Sequence, residues 1–170
     1  MRVAAAGVAD EFDAQTPVNE LTLASIDTET TGTDPEADRI VEIACVKMRG
    51  GVVIEQQDWL INPQMPIPKE AADVHGIRDE DVADKPTFAA QAAEIMRALQ
   101  GAVPVAYNAE FDRAFILTEF ARAGALDVEL APAARPNVQW IDPLIWAREL
   151  HRDAKSKALG AMAELLGVEL

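Results

Sequence analysis

Two carboxylates stand two residues apart in Ile26-Asp27-Thr28-Glu29-Thr30-Thr31-Gly32, where the first apolar run of the chain closes. On an extended backbone side chains alternate faces, so Asp27 and Glu29 point one way while Ile26 and Thr28 point the other. Two acids on one face repel each other. A divalent cation that bridges them reverses the sign of that interaction, and oxygen donors of this type suit magnesium and manganese. A strand end whose acids face water has the same pattern. A further acid lies in Tyr107-Asn108-Ala109-Glu110-Phe111-Asp112. With Asn108 as a helix cap, Asp112 falls about one turn into the helix, and a preceding strand lying beside the first would bring it toward Asp27 and Glu29. Read alone, Asn108 is only a cap and Asp112 only a favourable charge near a helix N-terminus.

The elements that must place these acids follow from periodicity and punctuation. Residues 1 to about 18 are Ala-rich, then polar up to Thr16-Pro17, and are expected to form a loosely ordered leader. Leu21 to Thr28 reads as a first strand. Ile40 to Met48 reads as a second, Gly50-Gly51 as a hairpin turn, and Val52 to Ile61 as a third strand, giving an antiparallel meander. Pro63, Pro66 and Pro68 predict a long connecting loop through Val74-His75-Gly76-Ile77. One short helical turn is expected at Asp79 to Ala83. Phe88, Ala92, Ile95, Met96 and Leu99 recur at helical spacing, with Gly101 as a stop.

Val103 to Tyr107 is then a short strand, followed by a helix from Asn108 that contains Phe111, Phe115, Leu117 and Phe120 and ends before Gly124. Pro132 and Pro136 frame a loop, Val138 to Ile141 predicts a last strand, and Pro143 to Leu150 a helix. Ser156 is expected to cap a final helix with Leu159, Met162, Ala163 and Leu166 on one stripe and Gly167 at its end. The expected fold class is α/β: a mixed sheet, meander first and parallel strands after, flanked by helices.

With 170 residues and 49% hydrophobic content, the chain suits one domain, taken as residues 19–170. The single cysteine, Cys45, excludes an intrachain disulfide or a thiolate cage and reads as a small buried hydrophobe. No run approaches the roughly twenty apolar residues of a membrane helix, and the start lacks the apolar core of a signal peptide, so a cytoplasmic address without membrane association is expected. A net charge of -14, from 29 acidic and 15 basic residues, argues against a broad electrostatic grip on a nucleic acid. It leaves a local, cation-mediated one open, because a bound metal inverts the field that a phosphate meets.

The motifs resemble the DEDD-type 3'-to-5' exonucleases, in the branch that includes the epsilon proofreading subunit of bacterial DNA polymerase III and ribonuclease T. Asp27-Thr28-Glu29-Thr30-Thr31-Gly32 is similar to the family's first motif and Asn108-Ala109-Glu110-Phe111-Asp112 to its second. Val74-His75-Gly76-Ile77 and Asp84-Lys85-Pro86-Thr87-Phe88 resemble the segment between them. The resemblance runs from about Leu21 onward and implies a ribonuclease-H-like fold. It also implies two-metal hydrolysis of phosphodiester bonds from a free single-stranded 3' end of DNA or RNA, with release of nucleoside monophosphates. Asp27, Glu29 and Asp112 are then catalytic metal ligands for two Mg2+ or Mn2+ ions. Thr30, Val74, His75 and Asn108 line the terminal nucleotide's site, with backbone bonding as the structural alternative for His75. Thr31 and Gly32 shape the turn, and Asp142 stands beside the site without being a ligand. A DNA polymerase subunit and a second copy of the chain are the protein partners this reading admits.

The sequence departs from the family at the third motif, which supplies a fourth carboxylate and, five residues before it, a histidine acting as general base. Five residues beyond His75 stands Glu80, and five beyond His151 stands Ser156. The other branch of the family uses a tyrosine four residues ahead of the acid, and the one tyrosine here is Tyr107. The expectation is a chain that stops short of this motif, with a partial ligand set and weak or absent hydrolysis. The rival reading is a non-catalytic module that keeps the exonuclease fold for protein binding. A phosphatase-like hydrolase would need a glycine-rich phosphate loop, which the sequence lacks.

Overall fold

The computed structural model describes residues 16–125 and 130–168. Three consecutive strands, β1 (Thr22–Thr30), β2 (Ile40–Arg49) and β3 (Val52–Leu60), form the expected meander. The β2–β3 turn has Gly50 at φ 59° and Gly51 at φ 79°, the left-handed pair that a two-residue hairpin requires. A fourth strand, β4 (Val103–Val105), runs parallel to β1 on its other side, in the order β3-β2-β1-β4.

Among the described residues there are six helices: α1 (Lys69–His75), α2 (Asp79–Val82), α3 (Phe88–Leu99), α4 (Ala109–Arg122), α5 (Pro143–Leu150) and α6 (Leu159–Leu166). Single 3-10 turns lie at Val18–Glu20 and Pro132–Ala134. Most of the expected leader lies outside the described residues; its last described part enters the turn at Val18 and leads to the buried Leu21.

The pleat of β1 divides its residues as the alternation requires. Ala24, Ile26, Thr28 and Thr30 are buried, whereas Asp27 is exposed and Glu29 half-buried. The buried side meets the main core, in which Ile43, Ile95, Leu99, Phe115 and Phe120 are fully covered. Phe88 meets Phe120 edge-on, with ring centroids 5.1 Å apart, a geometry worth about 0.5–1.5 kcal/mol beyond the area buried. A smaller cluster of Leu21, Val103 and Ile141 carries Leu23, Val105 and Trp146 against it, on the side of β1 that bears the acids.

Three sequence expectations are corrected. The proline-rich connection contains helix α1: all three prolines stand ahead of its first turn, Pro68 occupies the N-cap, and Gly76 at φ 80° ends it. The segment Val138 to Ile141 forms no strand, only one parallel bridge between Val105 and Ile141. Ser156 does not cap the final helix, which starts at Leu159 after Ala158; its hydroxyl accepts instead from the Ala158 amide. The stripe on α6 is half covered, with Met162 and Ala163 buried but Leu159 and Leu166 exposed. Among the described residues, no helix is long and apolar enough to cross a membrane.

Candidate active site

The acid-bearing end of β1 lies beyond the reach of its parallel neighbour. β4 pairs only with Leu23 to Ser25, so the following edge of β1 has unpaired backbone groups. Helix α4 fills this gap. The Thr28 amide donates to Asp112 Oδ1 at 2.9 Å, and the Thr28 hydroxyl donates to the same oxygen at 2.8 Å. Asp112 is thereby held at the strand edge, only 4% exposed, next to the face that carries Asp27 and Glu29.

The electrostatics record this convergence. Burial pushes the Asp112 carboxyl up to about 6, against the two donors from Thr28, and the charge of Asp27 pushes the same way. Glu29 is also raised, first by burial and then by Asp27, Glu42 and Asp112. Glu42 sits directly across from Glu29 in the β1–β2 register and is itself raised by burial, Asp58 and Asp27. Sequence reasoning did not single out Glu42; its one signal was a lone acid inside the apolar run of β2. Among the described residues no ion pair reaches Asp27, Glu29 or Asp112.

A buried carboxylate surrounded by like charges and without a cationic partner is stabilised by a hard divalent ion, so the donor chemistry fits magnesium or manganese. The side chains are not closed around one, however. Among the described residues, no three His, Cys, Asp or Glu groups are gathered tightly enough to hold an ion. The fit is one of donor type and placement.

Beside Glu29 opens a cavity of about 530 Å³, bounded by Thr28 to Thr33, by Pro68, Glu70, Ala71, Val74 and His75, and by Phe111. It unites three of the four residues expected to contact a terminal nucleotide: Thr30, Val74 and His75. Val74 is 83% exposed at its rim. His75 makes the backbone bond named as its structural alternative. Its Nδ1 accepts from the Ile77 amide at 3.1 Å, which leaves the ring proton on Nε2, and that buried nitrogen has no partner among the described residues.

Phe111, read from sequence as a helix-interior residue, also lines the cavity; its position next to Asp112 was the available clue. Asn108 is exposed and is not among the cavity's walls. It is no side-chain cap either: its backbone is left-handed at φ 68°, and it makes no capping bond. Asp142 Oδ1 accepts from the Asn108 amide at 3.0 Å and the Leu144 amide at 2.9 Å, so this acid joins the starts of α4 and α5.

Thr30 and the turn after it are shaped by local bonds. The Thr30 hydroxyl donates to the Gly32 carbonyl at 2.6 Å. A Cβ on Gly32 would lie 2.3–2.6 Å from the Asp38 carboxylate, so close approach rather than φ dictates glycine there.

The exonuclease family model (RNase_T) matches residues 24–170. The chain is 32% identical over 149 residues to the PolC-type DNA polymerase III of Thermotoga maritima, covering 88% of this chain and 10% of that protein. It is 43% identical over 106 residues to a DNA polymerase III subunit epsilon-like protein of Rhodobacter capsulatus, covering 61% of this chain and 15% of that protein. The chain thus spans a small part of these relatives' length. The solved structure of exonuclease X in complex with 5' overhanging duplex DNA superposes with a TM-score of 0.65 at 28% identity, covering 87% of this chain and 75% of that one.

Proposed function

We propose, for a chain that belongs to the DEDD-type exonuclease family with its ribonuclease-H-like fold, that it removes nucleoside monophosphates from the single-stranded 3' ends of DNA. The observation that carries this is the placement of a buried Asp112, without an ion-pair partner among the described residues, at the β1 edge beside Asp27 and Glu29, next to an open cavity. DNA rather than RNA is favoured by the replication proteins among its relatives. On the same ground the proposal extends to proofreading in company with a polymerase in the cytoplasm.

In this mechanism Asp27, Glu29 and Asp112 would hold two divalent cations, which would supply water activation and offset the charge that builds on the scissile phosphate. Thr28 keeps Asp112 at the strand edge. The terminal nucleotide enters between Val74 and Phe111, Thr30 lines its entry, and the Nε2 proton of His75 donates to it. Asn108 lies outside this cavity, and a contact from it would be with the strand approaching the site.

These 170 residues contain no histidine followed five residues later by aspartate. Without such a general base, hydrolysis by the 170-residue chain is expected to run about 10² to 10⁴ below that of a relative that has one. The test is digestion of a 5'-labelled single-stranded oligonucleotide. Stepwise shortening from the 3' end that needs Mg2+ or Mn2+ and is lost in Asp27→Asn supports the proposal; degradation that survives unchanged in Asp27→Asn overturns it. Metal binding without any hydrolysis favours the non-catalytic module instead.

A further inference from the structure

Helix α4 carries two buried acids on one face, Asp112 and, seven residues or two turns later, Glu119. Their surroundings are opposite. The Asp112 carboxylate meets no cationic side chain among the described residues and is held by Thr28, while Glu119, 1% exposed, is gripped by two guanidinium groups. Its Oε1 accepts from Arg39 Nε at 2.5 Å and Arg122 Nη1 at 3.3 Å, and its Oε2 accepts from Arg39 Nη2 at 2.9 Å. Arg39 is thus bound in the two-pronged manner that fixes direction as well as distance.

The partners of Arg122 belong to the loop that continues the site, and Arg39 adds one in the connection after β3. Arg122 donates to the Asp38 carbonyl at 2.9 Å and the Glu36 carbonyl at 2.7 Å, and Arg39 Nη1 to the Pro63 carbonyl at 3.3 Å. The loop is itself closed. The Thr31 amide donates to the Arg39 carbonyl at 2.9 Å, and the Arg39 amide to the Thr31 hydroxyl at 3.0 Å. The Asp38 carboxylate accepts from the Thr31 hydroxyl at 3.2 Å and the Asp34 amide at 2.9 Å. Besides its apolar packing in the main core, helix α4 is therefore joined to the β1–β2 unit by polar contacts at two points, two turns apart.

The two joints are not equivalent. A carboxylate that turns toward a cation shares its oxygens with that cation and weakens as an anchor, so Asp112 cannot by itself define where α4 lies. A helix slipped by one residue moves 1.5 Å along its axis and turns by about 100°. Either change would remove Asp112 from the acids of β1. A buried ion pair is weak evidence for stability and better attested as a device that fixes register.

We infer that Glu119, gripped by Arg39 and Arg122, is a positioning residue that sets the register of α4 against β1 and so places Asp112 beside Asp27 and Glu29. The inference rests on the reading of these three acids as a cation site, yet one of its readouts does not depend on a metal. The Thr28 amide proton donates to Asp112, so its NMR shift and exchange rate report the joint directly.

The experiment compares the 170-residue chain with Glu119→Gln, Arg39→Lys and the apolar double variant Arg39→Met/Glu119→Met. It measures Mn2+ affinity by calorimetry, and the Thr28 amide by NMR, below the melting range of each protein. In Glu119→Gln, Mn2+ affinity is expected to fall about 10- to 100-fold, as for other residues that orient metal ligands through a neighbour. Thr28 loses protection while Val46 and Lys47, in the middle of β2, keep theirs. Arg39→Lys, with charge but no fork, lies between. The double variant regains thermal stability but neither Mn2+ affinity nor the Thr28 signal. An unchanged Thr28 amide in Glu119→Gln overturns the inference, as does recovery of both readouts in the double variant. Where Glu119→Gln does not fold, Arg39→Lys and the double variant carry the test. Failure of the parent chain to bind Mn2+ strikes the metal reading, and the Thr28 amide then decides the positioning role.

Discussion

Thr28 places both its amide and its hydroxyl on one oxygen of Asp112, so a strand residue pointing away from the acids of β1 fixes the acid that joins them. Removal of the hydroxyl in Thr28→Val should leave a buried carboxylate with one donor fewer. We expect a loss of about 1–3 kcal/mol above pH 7, where Asp112 is ionised, and a smaller loss near pH 5. Urea denaturation at both pH values checks this, and an equal loss at each would contradict the role assigned to the hydroxyl.

Metal-free stability should fall as pH rises from about 4 to above 6. The Asp112 carboxyl titrates near 6 in the fold but near 3.8 when exposed, so across this interval the folded state holds the proton more tightly than the unfolded chain. The stabilisation from the neutral form is complete below the unfolded value and is lost through the folded one, with a span of up to about 3 kcal/mol. The raised carboxyls of Glu29 and Glu42 act in the same direction. In EDTA, Asp112→Asn should therefore gain relative to the parent chain between pH 4 and 8; a flat difference would argue against the shift.

Gly32→Ala should cost about 1–3 kcal/mol, because its methyl would meet the Asp38 carboxylate. In the double variant Gly32→Ala/Asp38→Ala the penalty should be well below the sum of the single effects. Additive losses in a thermal or urea series would show that the collision is not what constrains the position.

His75→Ala should weaken binding of a nucleoside monophosphate in the presence of Mn2+ by about 3- to 10-fold, the loss of one hydrogen bond, with little change in stability. Titration followed by NMR reads the affinity. Unaltered binding would return His75 to the purely structural role of accepting from the Ile77 amide.

Hydrogen exchange should find α6 among the least protected helices. Leu159, Leu165 and Leu166 are 51%, 55% and 58% exposed, so little apolar burial opposes local opening. Strong protection at Leu165 and Leu166 in the 170-residue chain would contradict this.

Features set by local chemistry were legible in the sequence. The meander followed from alternation and Gly50-Gly51, helix α3 from its apolar spacing, and the facing of Asp27 and Glu29 from the period of a strand. Features decided by distant contacts were not. Helix α1 hid behind prolines that stop just before it, and Val138 to Ile141 looks like a strand although Val105 alone bridges it. Asn108 has a cap's side chain but a left-handed backbone, because Asp142 takes its amide. Glu119 reads as an ordinary helix charge until Arg39, 80 residues earlier, is found against it.

One irregularity in β2 also reaches the cavity. Thr30 pairs with Ile40 while Glu29 pairs with Glu42, which leaves Val41 as an extra residue between them. An inserted residue changes the parity of a strand. Ile40 and Ile43 can therefore both enter the main core, while Val41 turns toward Ile67, Val82, Ala71 and Ala72. Ala71 and Ala72 belong to α1, the helix that ends at His75. Deleting Val41 would therefore do more than remove one buried methyl pair. It would restore even counting along β2, detach the seat of α1 and displace His75 from Glu29, so that an indel in a core strand would be felt as a defect of the nucleotide cavity.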